Sequence, residues 1–474
     1  MSAPPPPGTS RVVGTPRRGG TPEGALRGLA AGRLRAALRG IAAGRLRAAM
    51  RVAVALAIPL AMPLAGCGGG GGPAAVADPS SDAEWVRATM ADVYLYADRM
   101  PKAALPAGTD AAQALEALRV NPPDRFSYVE ARAAYEGFFD EGRAIGVGVS
   151  LRIDAGRLRV RIVQPDSPAG RAGVRRGDRI VSVDGVGADA LIAAGTVAAA
   201  FGPAEVGVVL RLGLERDGTP FELSLAKADY AVAPVLATRV IERPGGRVGY
   251  VALHTFTEPA RQAWADAIAT VRAAGARRLV VDLRDNGGGR LYVAAEVAGA
   301  LAPAGATGQP FTVLVHNARR AADDLTIPLP AHAATGAFDR VAWLVSDASC
   351  SASESLIAGL RPYRDDPVIG TTTCGKPVGF EPRTRGDRVL SAVSFASRNR
   401  DGLADWFDGL APTCTVADEP YLPFGDDADP RLAEALVRLE TGRCSAPAAV
   451  AKSPPRAPGR LPEARGLASE SGLL

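Results

Sequence analysis

The hydrophobic pattern divides the chain after residue 81 into three stretches. Between Asp82 and about Arg143, apolar residues recur every three or four positions, a period typical of helices that bury one face. The pattern is clearest in DAEWVRATMADVYLYADRM, AAQALEALRV and SYVEARAAYEGFFDEG. It predicts a small helical cap over residues 82–143.

Residues 144–229 change to short apolar runs separated by turn residues. These runs are IGVGVSLRI, RLRVRIVQP, DRIVSVDGV, VGVVLRLGLERDG and PFELSLAKADY, with a helix-like ADALIAAGTVAAAF after the third. Short strands in a module of about 85 residues are typical of a barrel-like sheet with one or two helices. We therefore expect a separate small domain here.

Strand-like and helix-like patterns alternate over residues 230–445. Apolar strands such as RRLVVDL and RVAWLVS are followed by helical segments such as RLYVAAEVAGALA and ASESLIAGLRP. This alternation predicts an α/β layered core. Residues 446–474 are rich in Pro and Ala and lack an apolar period, which predicts a disordered tail. The fold class is therefore multidomain α/β.

Composition excludes a chain that is disordered throughout, because 47% of the 474 residues are hydrophobic and 22% are charged. The net charge of +5 does not describe the chain as a whole, because the excess of positive charge lies at its N-terminus. Residues 1–51 contain ten arginines and one glutamate, a charge of +9, which leaves −4 for the rest of the chain. A nucleic-acid partner is therefore not expected.

A twelve-residue repeat occupies residues 26–49, first as LRGLAAGRLRAA and then as LRGIAAGRLRAA. Two copies are too few for a repeat fold. One interpretation is a basic amphipathic helix at a membrane. The preferred interpretation is that translation starts at Met50, because a complete export signal begins there.

That signal is MRVAVALAIPLAMPLAGC, residues 50–67, with a basic start, a short apolar run and small residues at its end. Its end resembles the bacterial lipobox, which implies cleavage after residue 66 and lipidation of Cys67. The following residues 67–81 are rich in Gly, as expected of a flexible tether. We therefore expect a lipid-anchored protein of the bacterial cell envelope that faces the periplasm.

Export affects how the four cysteines beyond Cys67 are interpreted. They form an even set, which allows disulfides in three pairings. No C-x-x-C spacing occurs and the chain has three histidines, so neither a zinc site nor another metal or cofactor is expected.

The segment SPAGRAGVRRGDRIVSVDGV, residues 167–186, resembles the core of PDZ domains. The resemblance implies that an extended peptide adds as a strand and that backbone N–H groups hold its terminal carboxylate. The loop concerned falls at Gly146, Val147 and Gly148. The alternative is that both glycines only turn the chain.

Two short segments resemble the carboxyl-terminal processing, or tail-specific, serine peptidases. These are SCSASE at residues 349–354 and TTTCGKP at residues 371–377. VVDLRDNGGGR and RVGYVALHTF also fit this family, as does the order of cap, PDZ domain and core. The resemblance implies a core of the ClpP/crotonase type, a nucleophile at Ser351 and a base at Lys376. The reaction requires an unprotonated lysine, so we expect Lys376 to be buried.

Acyl transfer also needs donors that face the oxyanion of the tetrahedral intermediate. The N–H of Ala352 follows the nucleophile, and the DNGGG turn could present the N–H of Gly287 or Gly288. A phosphate-binding loop is the competing interpretation of this turn. It is disfavoured because the G-K-[ST] ending is missing.

The sequence departs from the family at two positions. Phe380 stands where many members have a Gln that orients the lysine, and Pro362 stands where some have an Asp. Candidate substitutes for the missing third residue are Thr372, Thr373 and Glu381, whereas Glu354 is interpreted as an acid of the first helical turn.

These departures keep open a second hypothesis, a PDZ-based scaffold lipoprotein with a degenerate core. A Ser/His/Asp hydrolase is a third, without a recognisable triad motif.

The resemblance also bears on the cysteines. Cys350 precedes the predicted nucleophile and Cys374 lies two residues before the predicted base, so a fold that joins Ser351 and Lys376 makes a bridge geometrically feasible. We expect the pairs Cys350–Cys374 and Cys414–Cys444. Cys374–Cys414 is the rival pairing, and buried free thiols are the alternative. The leading hypothesis is thus a serine endopeptidase that captures proteins by their C-terminal tails.

Overall fold

The computed structural model describes residues 81–417 and 420–445. The predicted export signal with Cys67, nearly all of the tether and the tail after residue 445 lie outside this part of the chain. The longest described helix has 14 residues. None of the described helices has the length and hydrophobicity needed to cross a bilayer.

The N-terminal part is the predicted cap, with one difference. Its elements are α1 (Asp82–Val93), a 3₁₀ turn (Ala97–Arg99), α2 (Ala111–Leu118), β1 (Tyr128–Ala131), α3 (Arg132–Glu136) and a π-helical turn (Gly137–Glu141). The helix predicted for SYVEARAAYEGFFDEG is therefore wrong at Tyr128–Ala131, which form a strand. This strand pairs antiparallel with β19 (Arg388–Ser391), with Tyr128 opposite Ser391. Its partner lies about 260 residues away, so a local pattern could not reveal it.

A small domain follows, built on the strand order β3-β4-β5-β7-β8, with β6 beside β5 and a separate ribbon of β2 and β9. Its core contains Val160, Phe201 and Leu212. The elements are β2 (Arg143–Gly146), β3 (Val149–Asp154), β4 (Arg157–Val163), α4 (Pro168–Arg171), β5 (Arg179–Val183), β6 (Val186–Gly187), α5 (Ala188–Ala194), α6 (Val197–Ala200), β7 (Val209–Arg216), β8 (Thr219–Ala226) and β9 (Ala228–Ala231).

The core domain is centred on a six-stranded sheet in the order β10-β11-β12-β15-β16-β21, parallel except for β10. Successive residues of a strand face opposite sides of a sheet, and here both sides are buried. Val281 packs towards three helices, α7 (Ala260–Ala273), α8 (Leu291–Leu301) and α9 (Ala352–Leu360), and Val280 towards α10 (Pro430–Thr441). The strands are β10 (Val235–Ile241), β11 (Val248–Leu253), β12 (Arg278–Asp282), β15 (Arg340–Val345), β16 (Val368–Gly370) and β21 (Cys414–Thr415).

A second sheet of the core has the antiparallel order β14-β13-β20-β17, and a three-stranded sheet joins β1 to β19 and β18. Cap residues such as Met90 and Leu115 pack on Val393 of the second sheet. The cap is therefore continuous with the core. The strands are β13 (Pro310–Val315), β14 (Leu325–Pro328), β17 (Val378–Phe380), β18 (Arg383–Arg385) and β20 (Val393–Arg398), and a 3₁₀ segment (Ala318–Asp323) follows β13.

A buried ion network holds the loop after β12 against α10. The fully buried Arg284 pairs with Asp282 and with Asp429, the residue that caps the N-terminus of α10. Burial favours the neutral form of Asp429, but the charges of Arg284 and Arg431 lower its pKa overall. The hydroxyl of Tyr250 donates to Asp282 at 2.6 Å. This network fixes the start of a loop that contributes to the site described next.

Candidate active site

Three loops meet at the carboxyl-terminal edge of the parallel sheet. Residues 283–289 follow β12, residues 346–351 follow β15 and residues 371–376 follow β16, and these strands are neighbours. Parallel strands end at the same edge, which is where open α/β sheets form their sites. The loops contain the predicted catalytic and oxyanion residues, apart from Ala352 at the start of α9.

Ser351 lies at the N-terminus of α9 with a φ of +55°, a backbone conformation that is uncommon for serine. Gly288 packs directly against it. A Cβ atom on Gly288 would lie 2.9 Å from the Ser351 Cβ and 3.0 Å from the Cys350 carbonyl oxygen. Only glycine therefore fits at residue 288 with Ser351 in this position.

Lys376 is buried, with 4% of its surface exposed. Its Nζ lies 4.1 Å from the centre of the Phe380 ring and 5.6 Å from that of Phe126. Phe380, which replaces the expected glutamine, thus presents an aromatic face to the amine. The cap residue Arg125 donates to the carbonyl oxygen of Cys374 at 3.0 Å and so supports the same loop.

Glu354 joins the segments of Ser351 and Lys376. One of its carboxylate oxygens, Oε2, accepts the N–H of Ser351 at 3.0 Å and the N–H of Lys376 at 2.8 Å. The other, Oε1, accepts the N–H of Gly375 at 2.8 Å and the hydroxyl of Thr373 at 2.5 Å. Burial raises the pKa of Glu354, and the hydrogen bonds from these four residues oppose that rise.

The Cys350–Cys374 disulfide joins the same two segments covalently, with the Cα atoms 5.2 Å apart. A second disulfide connects Cys414 and Cys444, with a Cα separation of 5.7 Å. The pairing predicted from the sequence is confirmed, and the rival Cys374–Cys414 pairing is wrong.

Hydrogen bonds fix the turn after β12 to the nucleophile segment. The carbonyl oxygen of Asn286 accepts the N–H of Cys350 at 3.0 Å and the hydroxyl of Ser353 at 3.1 Å. The N–H of Gly288 donates to the side-chain oxygen of Asn286 at 2.9 Å. Gly288 thus uses its donor inside the turn, so Gly287 becomes the preferred oxyanion candidate of the two.

A cavity of about 300 Å³ lies beside Ser351 and extends along β17. Its walls are largely apolar and aromatic, and they include Leu314, Ile327, Val378, Phe380 and Phe395. An apolar side chain of a bound peptide could be accommodated here.

The predicted carboxylate loop of the small domain is buried. Gly146 ends β2, and the carbonyl oxygens of Val147 and Gly148 accept the N–H groups of Ala169 and Gln164. A Cβ atom on Gly148 would lie 2.0 Å from the Ser167 Cβ. Close packing therefore explains this glycine, and its role towards a carboxylate stays a prediction.

The proposed substitutes for the missing glutamine have different environments. Thr373 donates to Glu354, Thr372 is exposed, and Glu381 accepts from His316 at 3.0 Å and from Arg320 at 2.5 Å. Glu354 is an acid of the first turn of α9, as predicted, but sequence reasoning missed that it connects the segments of Ser351 and Lys376. The available signal was its isolation as one acid in the otherwise uncharged stretch SASESLIAGL.

The sequence profile of peptidase family S41 matches residues 247–413, and a PDZ-domain profile matches residues 159–187. Residues 247–413 form a peptidase family S41 domain. This match confirms the resemblance seen in the sequence. The fold class, α/β with a PDZ domain before the S41 domain, is confirmed as well.

Curated relatives carry related names. The carboxyl-terminal-processing protease of Synechocystis is 29% identical over 293 residues, which cover 61% of this chain and 66% of the relative. The chloroplastic carboxyl-terminal-processing peptidase 2 of Arabidopsis thaliana is 29% identical over 247 residues, which cover 50% of this chain and 46% of the relative. The matches thus span less than two thirds of either relative.

The fold also resembles a crystal structure from Bacteroides fragilis assigned to the S41 proteases. That structure matches with a TM-score of 0.60 at 22% identity, and the match covers 76% of this chain and 97% of the other. The likeness extends beyond the residues of the S41 domain and supports the architecture as a whole.

The Glu354→Gln substitution should lower turnover at least about tenfold while the protein stays folded. A glutamine keeps the size but replaces one acceptor oxygen with a donor, so two of the four groups that face the carboxylate lose their partner. Steady-state kinetics on a peptide substrate, with circular dichroism, would measure both effects. Glu296→Gln, on a half-exposed glutamate that pairs with Arg261 at 2.7 Å, is the matched control. Unchanged turnover in Glu354→Gln would contradict this role.

Proposed function

We propose that this chain is a serine endopeptidase in which Ser351 is the nucleophile and Lys376 is the general base. The observation that supports this most directly is the sharing of Glu354 Oε2 by the N–H groups of Ser351 and Lys376. One atom thereby fixes the backbones of both predicted catalytic residues. The disulfide between Cys350 and Cys374 supports the same arrangement.

The proposed reaction is acyl transfer in two steps. The Ser351 hydroxyl loses its proton to the unprotonated amine of Lys376 while its oxygen attacks the carbonyl carbon of the cleaved bond. The N–H groups of Ala352 and Gly287 stabilise the oxyanion, and the Lys376 ammonium then protonates the leaving amine. Water hydrolyses the resulting ester with Lys376 again as the base.

We further propose that substrates are proteins with apolar C-terminal tails. The tail would bind the PDZ domain through its carboxylate, near residues 146–148, and an upstream apolar side chain would enter the cavity beside Ser351. Both named relatives are carboxyl-terminal-processing enzymes, which supports this substrate class. The alternative is a PDZ scaffold whose S41 domain is inactive, and the next experiment separates the two.

Ser351→Ala and Lys376→Ala should each reduce cleavage of an unfolded protein with an apolar tail by at least about a thousandfold, because each removes one end of the proton transfer. Gel-based cleavage assays with purified protein would measure the loss. The exposed residues Ser445 and Lys102 supply controls, Ser445→Ala and Lys102→Ala, which should keep wild-type activity. Full activity in either dyad variant would refute the mechanism, and an inactive wild-type protein would favour the scaffold.

Amidation of a peptide's C-terminus should weaken its binding about tenfold or more, because the backbone donors lose a charged acceptor. Calorimetry with the Ser351→Ala variant would compare the free acid and the amide of one apolar peptide without cleavage. Equal affinities would count against capture by the terminal carboxylate.

We also propose a lipid anchor at Cys67 and a position in the bacterial cell envelope, facing the periplasm. The Cys67→Ser substitution should then move the protein from the membrane fraction to the soluble fraction, because a thioether-linked lipid can no longer form. Immunoblots of fractionated cells would measure this, with Ser351→Ala as a control that should stay in the membrane. A Cys67→Ser protein that remains there would require another anchor.

A further inference from the structure

The PDZ domain and the core domain share a buried contact at the turn that contains Gly287 and Gly288. Asp285 lies in this turn, and 2% of its side chain is exposed. Its carboxylate pairs with Arg161 of β4 and, at 2.5 Å, with Arg176 of the loop before β5. The side chains of both arginines are also buried, at 5% and 6% exposure. Both belong to the PDZ domain.

Arg176 is fixed by the core domain on its other sides. Its Nε donates to the carbonyl oxygen of Leu422 at 3.1 Å. Its guanidinium carbon lies 4.4 Å from the centre of the Phe424 ring and 5.3 Å from that of Tyr421. Arg176 also donates to the carbonyl oxygen of Arg161, so the two arginines are held together. The cation that faces Asp285 is thus rigidly placed.

Arg161 lies in surroundings with little access to water. The adjacent His254 is fully buried, and burial together with the charge of Arg161 lowers its pKa to about 4. His254 is therefore neutral at physiological pH and adds no further positive charge beside Arg161 and Arg176. In such surroundings a buried arginine needs a carboxylate partner, and Asp285 is that partner.

The backbone of Asp285 needs this support. Its φ is +65°, in the left-handed region that few residues other than glycine adopt. Its N–H donates to the Ser346 hydroxyl at 3.4 Å, and Arg161 reaches the same hydroxyl at 3.5 Å. The next residue, Asn286, accepts the N–H of Cys350. The direction of the chain at Asp285 therefore sets the placement of Gly287, two residues later.

We propose that Asp285 is a positioning residue for the oxyanion donor and that Arg161 and Arg176 of the PDZ domain hold it in place. The PDZ domain is then a structural part of the active site, in addition to any role in binding a tail. This proposal rests on the proposed peptidase function. It implies that loss of either arginine slows cleavage even of a substrate that does not contact the PDZ domain.

The test uses a short internally quenched peptide with an amidated C-terminus, so that capture of a terminal carboxylate does not contribute. Asp285→Asn should lower kcat about tenfold or more and leave KM within about twofold, because the turn loosens while the cavity beside Ser351 is unchanged. Arg176→Gln should have the same effect and covers the case in which Asp285→Asn fails to fold. The double variant should lose no more than the single ones, since the two residues act as a unit.

Arg152→Gln is the matched control. Arg152 also crosses from the PDZ domain to the core, where it pairs with Asp347 at 2.6 Å. The carboxylate of Asp347 is one-third exposed, and its loop is held independently by the Ser349 hydroxyl, which donates to the Leu283 carbonyl oxygen at 2.7 Å. Arg152→Gln should therefore keep kcat within about twofold.

Hydrogen exchange followed by mass spectrometry gives a readout that does not need activity. Amides of residues 286–289 should exchange faster in Asp285→Asn than in the wild type and in Arg152→Gln. If the wild-type protein cleaves no peptide but this difference appears, the peptidase function is refuted while the placement of the turn by Asp285 stands. Unchanged kcat and exchange in Asp285→Asn, or an equal loss of kcat in Arg152→Gln, would overturn the proposal.

Discussion

The candidate site depends on one buried carboxylate. Glu354 lies inside an apolar helix, where an uncompensated charge would be strongly unfavourable. It is tolerated because two loops direct donors to it, one from the nucleophile segment and three from the segment of Lys376. The requirement to satisfy this group is therefore also the constraint that brings the two loops into register.

The parallel sheet places the two loops close enough for Glu354 to connect them. The loops start from neighbouring strands β15 and β16, so they are already close before any side chain acts. The Cys350–Cys374 disulfide links the same two segments covalently. It lowers the conformational entropy of the unfolded chain and thereby stabilises the folded state. Neither Glu354 nor the disulfide involves residue 380, where a phenylalanine stands instead of an orienting glutamine. The ring of Phe380 instead forms part of the wall around the Lys376 amine.

Arginine carries much of the contact between the PDZ domain and the core. Arg152, Arg161 and Arg176 reach carboxylates on the loops that follow β12 and β15. A planar guanidinium can pair with a carboxylate and stack on aromatic rings at once, as Arg176 does with Asp285 and Phe424. The PDZ domain is thereby attached directly behind the loops of the candidate site, through contacts that are partly buried.

The sequence by itself determined the order of the modules, the likeness to S41 peptidases and the two disulfides. The segments SCSASE and TTTCGKP carried the likeness, and hydrophobic periods indicate which face of each element is buried. The tertiary structure alone decided that Tyr128–Ala131 is a strand, that Glu381 is engaged by His316 and Arg320, and that Glu354 and Asp285 hold the loops together. The physical reason is the same in each case. Each group has a partner that lies 19 or more residues away in the chain, so only folding places the two within hydrogen-bonding distance.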